Sequence, residues 1–170
     1  MSRGPPALPE RPDAGAGHDR PAPDGGDPLK TTRPIFTSPQ DVETAFYEAL
    51  ERADLDAMMA VWAEDEEVVC VHPGGPRITG YAAVREVWRR MFEAGSRLRI
   101  RLSEPTMVQN PFTAIQTVRE QISVVGDEEL RAPVIATNVY VRGALGWRLV
   151  LHHASPAPPA PASENPKTLH

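Results

Sequence analysis

The chain has one cysteine, Cys70, so no disulfide can close within it, which fits a reducing compartment. It has no block of basic residues. Its 18 Lys and Arg are scattered among 23 Asp and Glu, for a formal net charge of −5. Without a basic footprint, nucleic acid is not an expected partner. No apolar run approaches the length of a membrane span, and Met1-Ser2-Arg3-Gly4-Pro5-Pro6 lacks the apolar stretch of a signal peptide. The expectation is a soluble cytoplasmic protein without a membrane partner. Aromatic residues are few, and Trp62, Trp88 and Trp147 are expected mainly in the core, with Trp62 also placed to roof a pocket.

Proline, by contrast, is abundant and unevenly spread. Nine of the 19 prolines fall in residues 1–39 and five more in residues 156–170. These segments carry few large apolar residues. They cannot bury enough surface to offset the ordering entropy of about 1–2 kcal/mol per residue. The reading is a disordered Pro/Gly-rich tail over 1–37, one folded domain over 38–155, and a disordered Pro/Ala-rich tail over 156–170.

Within the domain, Ser38-Pro39-Gln40-Asp41 is a helix start: a capping hydroxyl, proline at the first helical position, and an acid near the positive end. Val42, Phe46, Ala49, Leu50 and Ala53 then recur at helical spacing. Asp54 reads as a second cap, followed by a short amphipathic helix through Leu55, Met58, Val61 and Trp62. Val68 to His72 reads as a strand and Pro73-Gly74-Gly75-Pro76 as a turn or loop. Thr79 or Gly80 opens a third helix that ends at Gly95. Four strands come next, beginning near Leu98, Phe112, Val134 and Trp147, with turns at Asn110-Pro111, Gly126 and Gly143–Gly146. Three helices and then sequential strands on short turns give an α+β class with a mainly antiparallel sheet, which curls and leaves a concave face.

The candidate chemistry sits where strands run into titratable side chains. Alternate strand residues share a face, so Cys70 and His72 point together. One of His152 and His153 points away from the face of Leu151, and one bulge would reverse which. His72 is the candidate base. Trp62, Cys70, Asn138, Tyr140 and His152 are the candidate ligand-binding residues. The alternatives are a filler role for Cys70, a turn-bonding role for His72, and cross-strand hydrogen bonding for Asn138 and Tyr140. Glu120 lies either buried among apolar neighbours, with a raised pKa, or outward. Arg85, Arg89 and Arg90 form a solvated helix face. The spacing of Cys70, His72 and the C-terminal histidines matches no zinc pattern, and no metal or other cofactor is expected.

Asp54-Leu55-Asp56-Ala57, Val61-Trp62-Ala63-Glu64-Asp65, Gly80-Tyr81-Ala82-Ala83-Val84-Arg85 and the ending Gly146-Trp147-Arg148-Leu149-Val150-Leu151-His152-His153 together resemble the nuclear transport factor 2-like superfamily. That group includes SnoaL-like polyketide cyclases, ketosteroid isomerases and the calmodulin-dependent kinase association domain. The C-terminal ending is most similar to the SnoaL-like and association-domain branches. The resemblance covers about Ser38 to Ser155. It implies a cone-shaped barrel in which a curved, mostly antiparallel sheet wraps three N-terminal helices around a deep pocket. It also implies a homodimer through the outer sheet face. The isomerase residues do not carry over. Phe46 stands where that branch has tyrosine, Cys70 or His72 where it has its catalytic aspartate, and Asn138 or Thr137 where it has the second aspartate. Two functions are compatible with this. One is a small-molecule pocket with acid–base chemistry of isomerase, cyclase or hydratase type on a small apolar carbonyl compound. The alternative is a noncatalytic ligand-binding or association module.

Overall fold

A computed structural model describes residues 33–127 and 131–158 of the chain. The tail readings for residues 1–32 and 159–170 lie outside the described residues. Residues 33–37 and 156–158 are placed against the domain, so its contacts extend past both boundaries read from the sequence. Phe36 bridges to Gly146, and the Ala157 N–H donates to the Pro133 carbonyl at 2.8 Å.

Helix α1 (Pro39–Arg52) starts where the capping residues dictate. The Asp41 N–H donates to Ser38 Oγ at 3.1 Å, and the Asp41 carboxylate accepts from the Ser38 N–H at 3.0 Å, a closed capping box. Ala53, in the left-handed region at φ 54°, ends it. Its buried face is Val42, Phe46, Tyr47 and Ala49. Helix α2 (Leu55–Val61) is capped by Asp54, which accepts from the Ala57 N–H at 2.9 Å. Helix α3 (Tyr81–Glu93) follows Gly80 and buries Val84 and Trp88. Its outer arginines bond acids of their own surface, Arg89 to Glu86 and Glu93, and Arg90 to Glu86.

The strands are β1 (Val69–Val71), β2 (Arg77–Thr79), β3 (Leu98–Gln109), β4 (Thr113–Val124), β5 (Val134–Gly143) and β6 (Gly146–Pro156). β2 went unread in the sequence. The Pro73–Pro76 turn reverses the chain and pairs Arg77–Thr79 with β1, although only Ile78 of the three is apolar. The six strands form one sheet in the order β2-β1-β6-β5-β4-β3. Only the β1–β6 pairing is parallel. The architecture is the expected α+β one. The sheet stays open, with β2 and β3 as its edges.

Two irregularities decide which side chains face the helices and which face out. β3 shifts register between Ser103 and Thr106, where Glu104 takes φ 53° beside Pro105. β6 gains a residue at Val150, between the Val139↔Leu151 and Tyr140↔Leu149 pairs. The bulge lets both Leu149 and His152 bury inward, while Leu151 and His153 share the outer face.

Candidate functional site

The inner sheet face is built by strand periodicity. On β4, Ala114, Gln116, Val118 and Glu120 are buried, and on β5, Val134, Ala136, Asn138 and Tyr140. Register then aligns the polar members. Gln116 lies opposite Asn138, Asn138 opposite His152, and His152 beside Cys70. One row across four strands therefore carries an amide, a second amide, an imidazole and a thiol, all within 4 % exposure.

Buried polar groups persist only when bonded, and most of these are. Tyr47 on α1 donates its hydroxyl to Glu120 Oε1 at 2.6 Å, and Tyr140 donates to Gln116 Oε1 at 3.0 Å. His152 Nδ1 lies 2.7 Å from Asn138 Oδ1. An amide oxygen only accepts, so Nδ1 carries the hydrogen and Nε2 is the basic nitrogen. Among the described residues, four buried side-chain atoms are left without a hydrogen-bond partner. Two are the indole nitrogens of Trp62 and Trp88, and the others are His72 Nε2 and Asn138 Nδ2. The His72 ring stands edge-on to Trp88 with centroids 4.6 Å apart. Trp88 in turn lies 6.5 Å from His152, and Phe46 lies 5.0 Å from it.

This environment sets the charge states. Burial holds the His152 imidazole down to about 3, with smaller contributions from the charges of His72 and His153. Burial also lowers His72. Both rings are therefore neutral at neutral pH, the form that can take a proton. Burial raises the Glu120 carboxyl against the opposing pull of the Tyr47 hydrogen bond. Burial pushes the Cys70 thiol up to about 12, so it stays protonated and is a poor nucleophile. Burial, and then the Glu120 charge, raise Tyr47.

Two clefts are formed by neighbouring residues, and no member of this row lines either. One, of about 330 Å³, is lined by Leu98, Ile122, Val134 and Pro156, by Pro73 next to His72, and by Arg131 and Ala132. The other, of about 410 Å³, runs between α1 and β3 over Ile100, Leu102 and Val118, with Tyr47, Glu43, Glu48 and Glu51 along it.

The sequence-derived residues therefore divide. Cys70, Asn138, Tyr140 and His152 share the inner face, and His72 comes directly after β1. Trp62 is fully buried and bridged to Leu149 through the backbone, and none of Trp62, Cys70, His72, Asn138, Tyr140 and His152 lines either cleft. His153 is exposed on the outer face beside Thr137. Of the two Glu120 alternatives, the buried one holds. Tyr47 and Gln116 belong to the same set and were not singled out from sequence. Gln116 was detectable, because it shares the parity of Glu120. Tyr47 was not, because helical spacing marks its neighbour Phe46 as the buried aromatic, and both turn out buried. Among the described residues, no group of three or more His, Cys, Asp and Glu side chains is placed to hold a metal ion. Among them also, no helix is long and apolar enough to cross a membrane.

A family model for the SnoaL-like domain matches residues 40–160. Among solved structures, the chain is 45 % identical to a candidate calcium/calmodulin-dependent protein kinase type II association domain from Thiobacillus denitrificans. That match covers 74 % of this chain and 99 % of the other, with a TM-score of 0.69. It is 33 % identical to a candidate dehydratase of the NTF2-like family from Streptomyces avermitilis, over 69 % of this chain and 91 % of that one, with a TM-score of 0.62. It is 28 % identical over 127 residues, 74 % of this chain, to F-box protein SKIP8 of Arabidopsis thaliana, and spans about half the length of that relative (50 %).

Proposed function

Since the chain belongs to the SnoaL-like domain family, we propose that its concave face binds a small, largely apolar carbonyl compound and exchanges a proton with it. One observation carries this reading. Among the described residues His72 Nε2 is a buried polar atom without a partner, flanked by aromatic and aliphatic side chains, and Asn138 Nδ2 lies beside the Tyr47 and Tyr140 hydroxyls without a well-formed hydrogen bond. A buried donor or acceptor left unmade costs about 1–3 kcal/mol, and a ligand carbonyl would recover part of that. In this reading the carbonyl oxygen accepts from Asn138 Nδ2. The neutral His72 Nε2 takes a proton from the adjacent carbon, and the C–H electron pair moves into the enolate, whose oxygen the amide stabilises. His152 fixes the Asn138 amide by donating to its oxygen. Tyr140 is a positioning residue, held through Gln116. In this reading a ligand enters from the apolar cleft lined by Pro73, the residue that follows His72.

The Trp88 ring touches His72 and so reports on the site. Titration with apolar ketones should give saturable quenching of tryptophan fluorescence. Asn138→Leu should weaken binding roughly tenfold, in line with a lost buried hydrogen bond. His72→Leu should abolish deuterium exchange at the carbon next to the carbonyl. If no ketone binds, or exchange proceeds unchanged in His72→Leu, the reading fails.

A second reading, association between copies, is favoured by the outer face. There Val108, Ile115, Val139, Leu151 and Val69 lie in one row across five strands. Val108 is 70 % and Ile115 45 % exposed. An aliphatic row in water fits a partner surface, and the similarity to an association domain supports it. Light scattering should show a dimer that Ile115→Asp dissociates. A monomeric wild type would end this reading.

A further inference from the structure

We infer that the outer sheet face is electrically bipolar and self-complementary. A second copy lies across it so that Arg99 and Arg101 of each chain meet Asp65 and Glu67 of the other. This arrangement rests on the proposed association of copies and specifies its geometry.

The pairing registers place the charges. Ile115 faces outward on β4, and Ser123 and Gln121 share its parity. Arg99 is paired with Ser123, and Arg101 with Gln121. Because the β3 bulge falls between Ser103 and Thr106, Arg99 and Arg101 remain on the same face as Val108 and Ile115 despite their different numbering parity. They line a cleft of about 470 Å³ with Gln121, Ser123 and the acidic Asp127 at one corner of the face, where the two arginines outnumber the single acid. Both are exposed, and neither side chain has an ion pair or hydrogen bond among the described residues. The arginines of α3, by contrast, are bonded to neighbouring glutamates.

Asp65 and Glu67 occupy the opposite corner. Asp65 and Glu67 line a groove of about 420 Å³ with Val69, Val139, Val141 and Leu151, outer-face residues of β1, β5 and β6. From the Arg99 level to the Ile115 row is eight residues along β4, roughly 26 Å at the usual strand rise. From β3 to β1 is four strand spacings, roughly 19 Å. The charges therefore lie at the ends of a diagonal. The aliphatic row occupies the acidic end of that diagonal and spans it toward β3. The threonine row Thr106–Thr117–Thr137 lies next to it, toward the arginines.

Paired copies of one chain meet about a two-fold axis. In a face-to-face pair that axis lies in the interface. An axis perpendicular to the charge diagonal exchanges its two ends and sets each arginine pair against the partner's Asp65 and Glu67, twice over. An axis along the diagonal would stack arginine on arginine and acid on acid, like charges that repel. Charge thus selects one orientation among those the aliphatic row alone would allow. The same chemistry describes an acidic peptide from another protein, which the exchange of charges between copies distinguishes.

The test uses the full chain and two double variants: Arg99→Glu/Arg101→Glu, and Asp65→Asn/Glu67→Arg. Asparagine at 65 keeps the oxygen that accepts the Glu67 N–H at 2.9 Å, so the turn is preserved. Each variant alone should raise the dimer dissociation constant on the order of 100-fold at low salt. An equimolar mixture of the two should form a heterodimer within about tenfold of the wild-type affinity, because both contacts again join opposite charges. Arg99→Gln/Arg101→Gln should fall between wild type and the charge reversal. Thermal melts monitored by circular dichroism identify any variant that does not fold, and the glutamine pair then stands in for the reversal. Wild-type affinity in both double variants taken alone, or no heterodimer in the mixture, overturns the inference. Dissociation by Ile115→Asp alone, with the charge variants unaffected, would leave association through this face standing and sink only the orientation. A monomeric wild type, or an Ile115→Asp variant that stays dimeric, sinks both.

Discussion

Tyr47 and Glu120 show what one buried hydrogen bond decides. The Glu120 carboxyl is 4 % exposed, with the Tyr47 hydroxyl on Oε1 and no ion pair among the described residues. Removing that donor by Tyr47→Phe should cost about 1–3 kcal/mol, read from the urea midpoint at fixed slope. The raised Glu120 pKa has a signed consequence. A carboxyl that ionises less readily in the fold than in the unfolded chain adds no penalty below the unfolded value. It subtracts stability as pH climbs from about 4.5 through the folded value. Glu120→Gln keeps the acceptor oxygen and removes the titration. Its stability relative to wild type should therefore improve as pH rises from 4 to 7. A constant difference across that range would show that Glu120 titrates normally.

At the scale of elements, the helix starts were legible and the strand ends were not. Ser38, Pro39 and Asp41 are local signals, and the capping box forms as they indicate. Ser38→Ala should cost about 1 kcal/mol, with Asp41 left to hold the Thr37 and Ser38 N–H groups. β2 was invisible because its three residues, Arg77, Ile78 and Thr79, are too few for a period and gain their strand geometry only from β1. The β6 bulge at Val150 was likewise unreadable, since Trp147 to Ala154 carries no glycine or proline to mark it. Gly146 illustrates a constraint set by another element. It takes φ +88°, and a Cβ there would overlap the Phe36 carbonyl oxygen. Gly146→Ala should destabilise by more than the roughly 1 kcal/mol of a simple left-handed penalty, and a melting temperature unchanged from wild type would show that the Phe36 segment yields.

At the scale of the whole molecule, two histidines that stay neutral in the fold link stability to acid. His152 is held near 3 and His72 is also lowered, both chiefly by burial. A histidine with a depressed folded pKa is a neutral partner above the unfolded value of about 6.5. As pH falls below that value, the unfolded chain takes up protons that the fold refuses, and stability is lost toward the folded pKa. Each refused proton contributes up to about 1.4 kcal/mol per pH unit. Wild type should therefore lose stability between pH 6.5 and 4, and His152→Gln should flatten that slope. An equally steep loss in the variant would assign the acid sensitivity elsewhere. Glu120 acts with the opposite sign over part of the same window, so the two variants separate the contributions. The N-terminal strap is the other whole-molecule feature. Arg148 stacks over Phe36 at 5.1 Å and donates to the Pro34 carbonyl at 2.8 Å, while Arg33 pairs with Glu64 and donates to the Trp62 carbonyl at 2.6 Å.

Taken alone, the sequence determined the helix caps, the α+β order of elements, the family and the alternating faces of β4 and β5, because each is written in neighbours a few residues apart. Periodicity also marked Asn138 and Tyr140 as sharing one face. Only the tertiary structure decided that His152 rather than His153 turns inward, that Tyr47 reaches Glu120, and that Arg99 and Arg101 lie diagonally across one sheet face from Asp65 and Glu67. Those outcomes depend on bulges and strand registers, where a single inserted residue moves a side chain to the other side of the sheet.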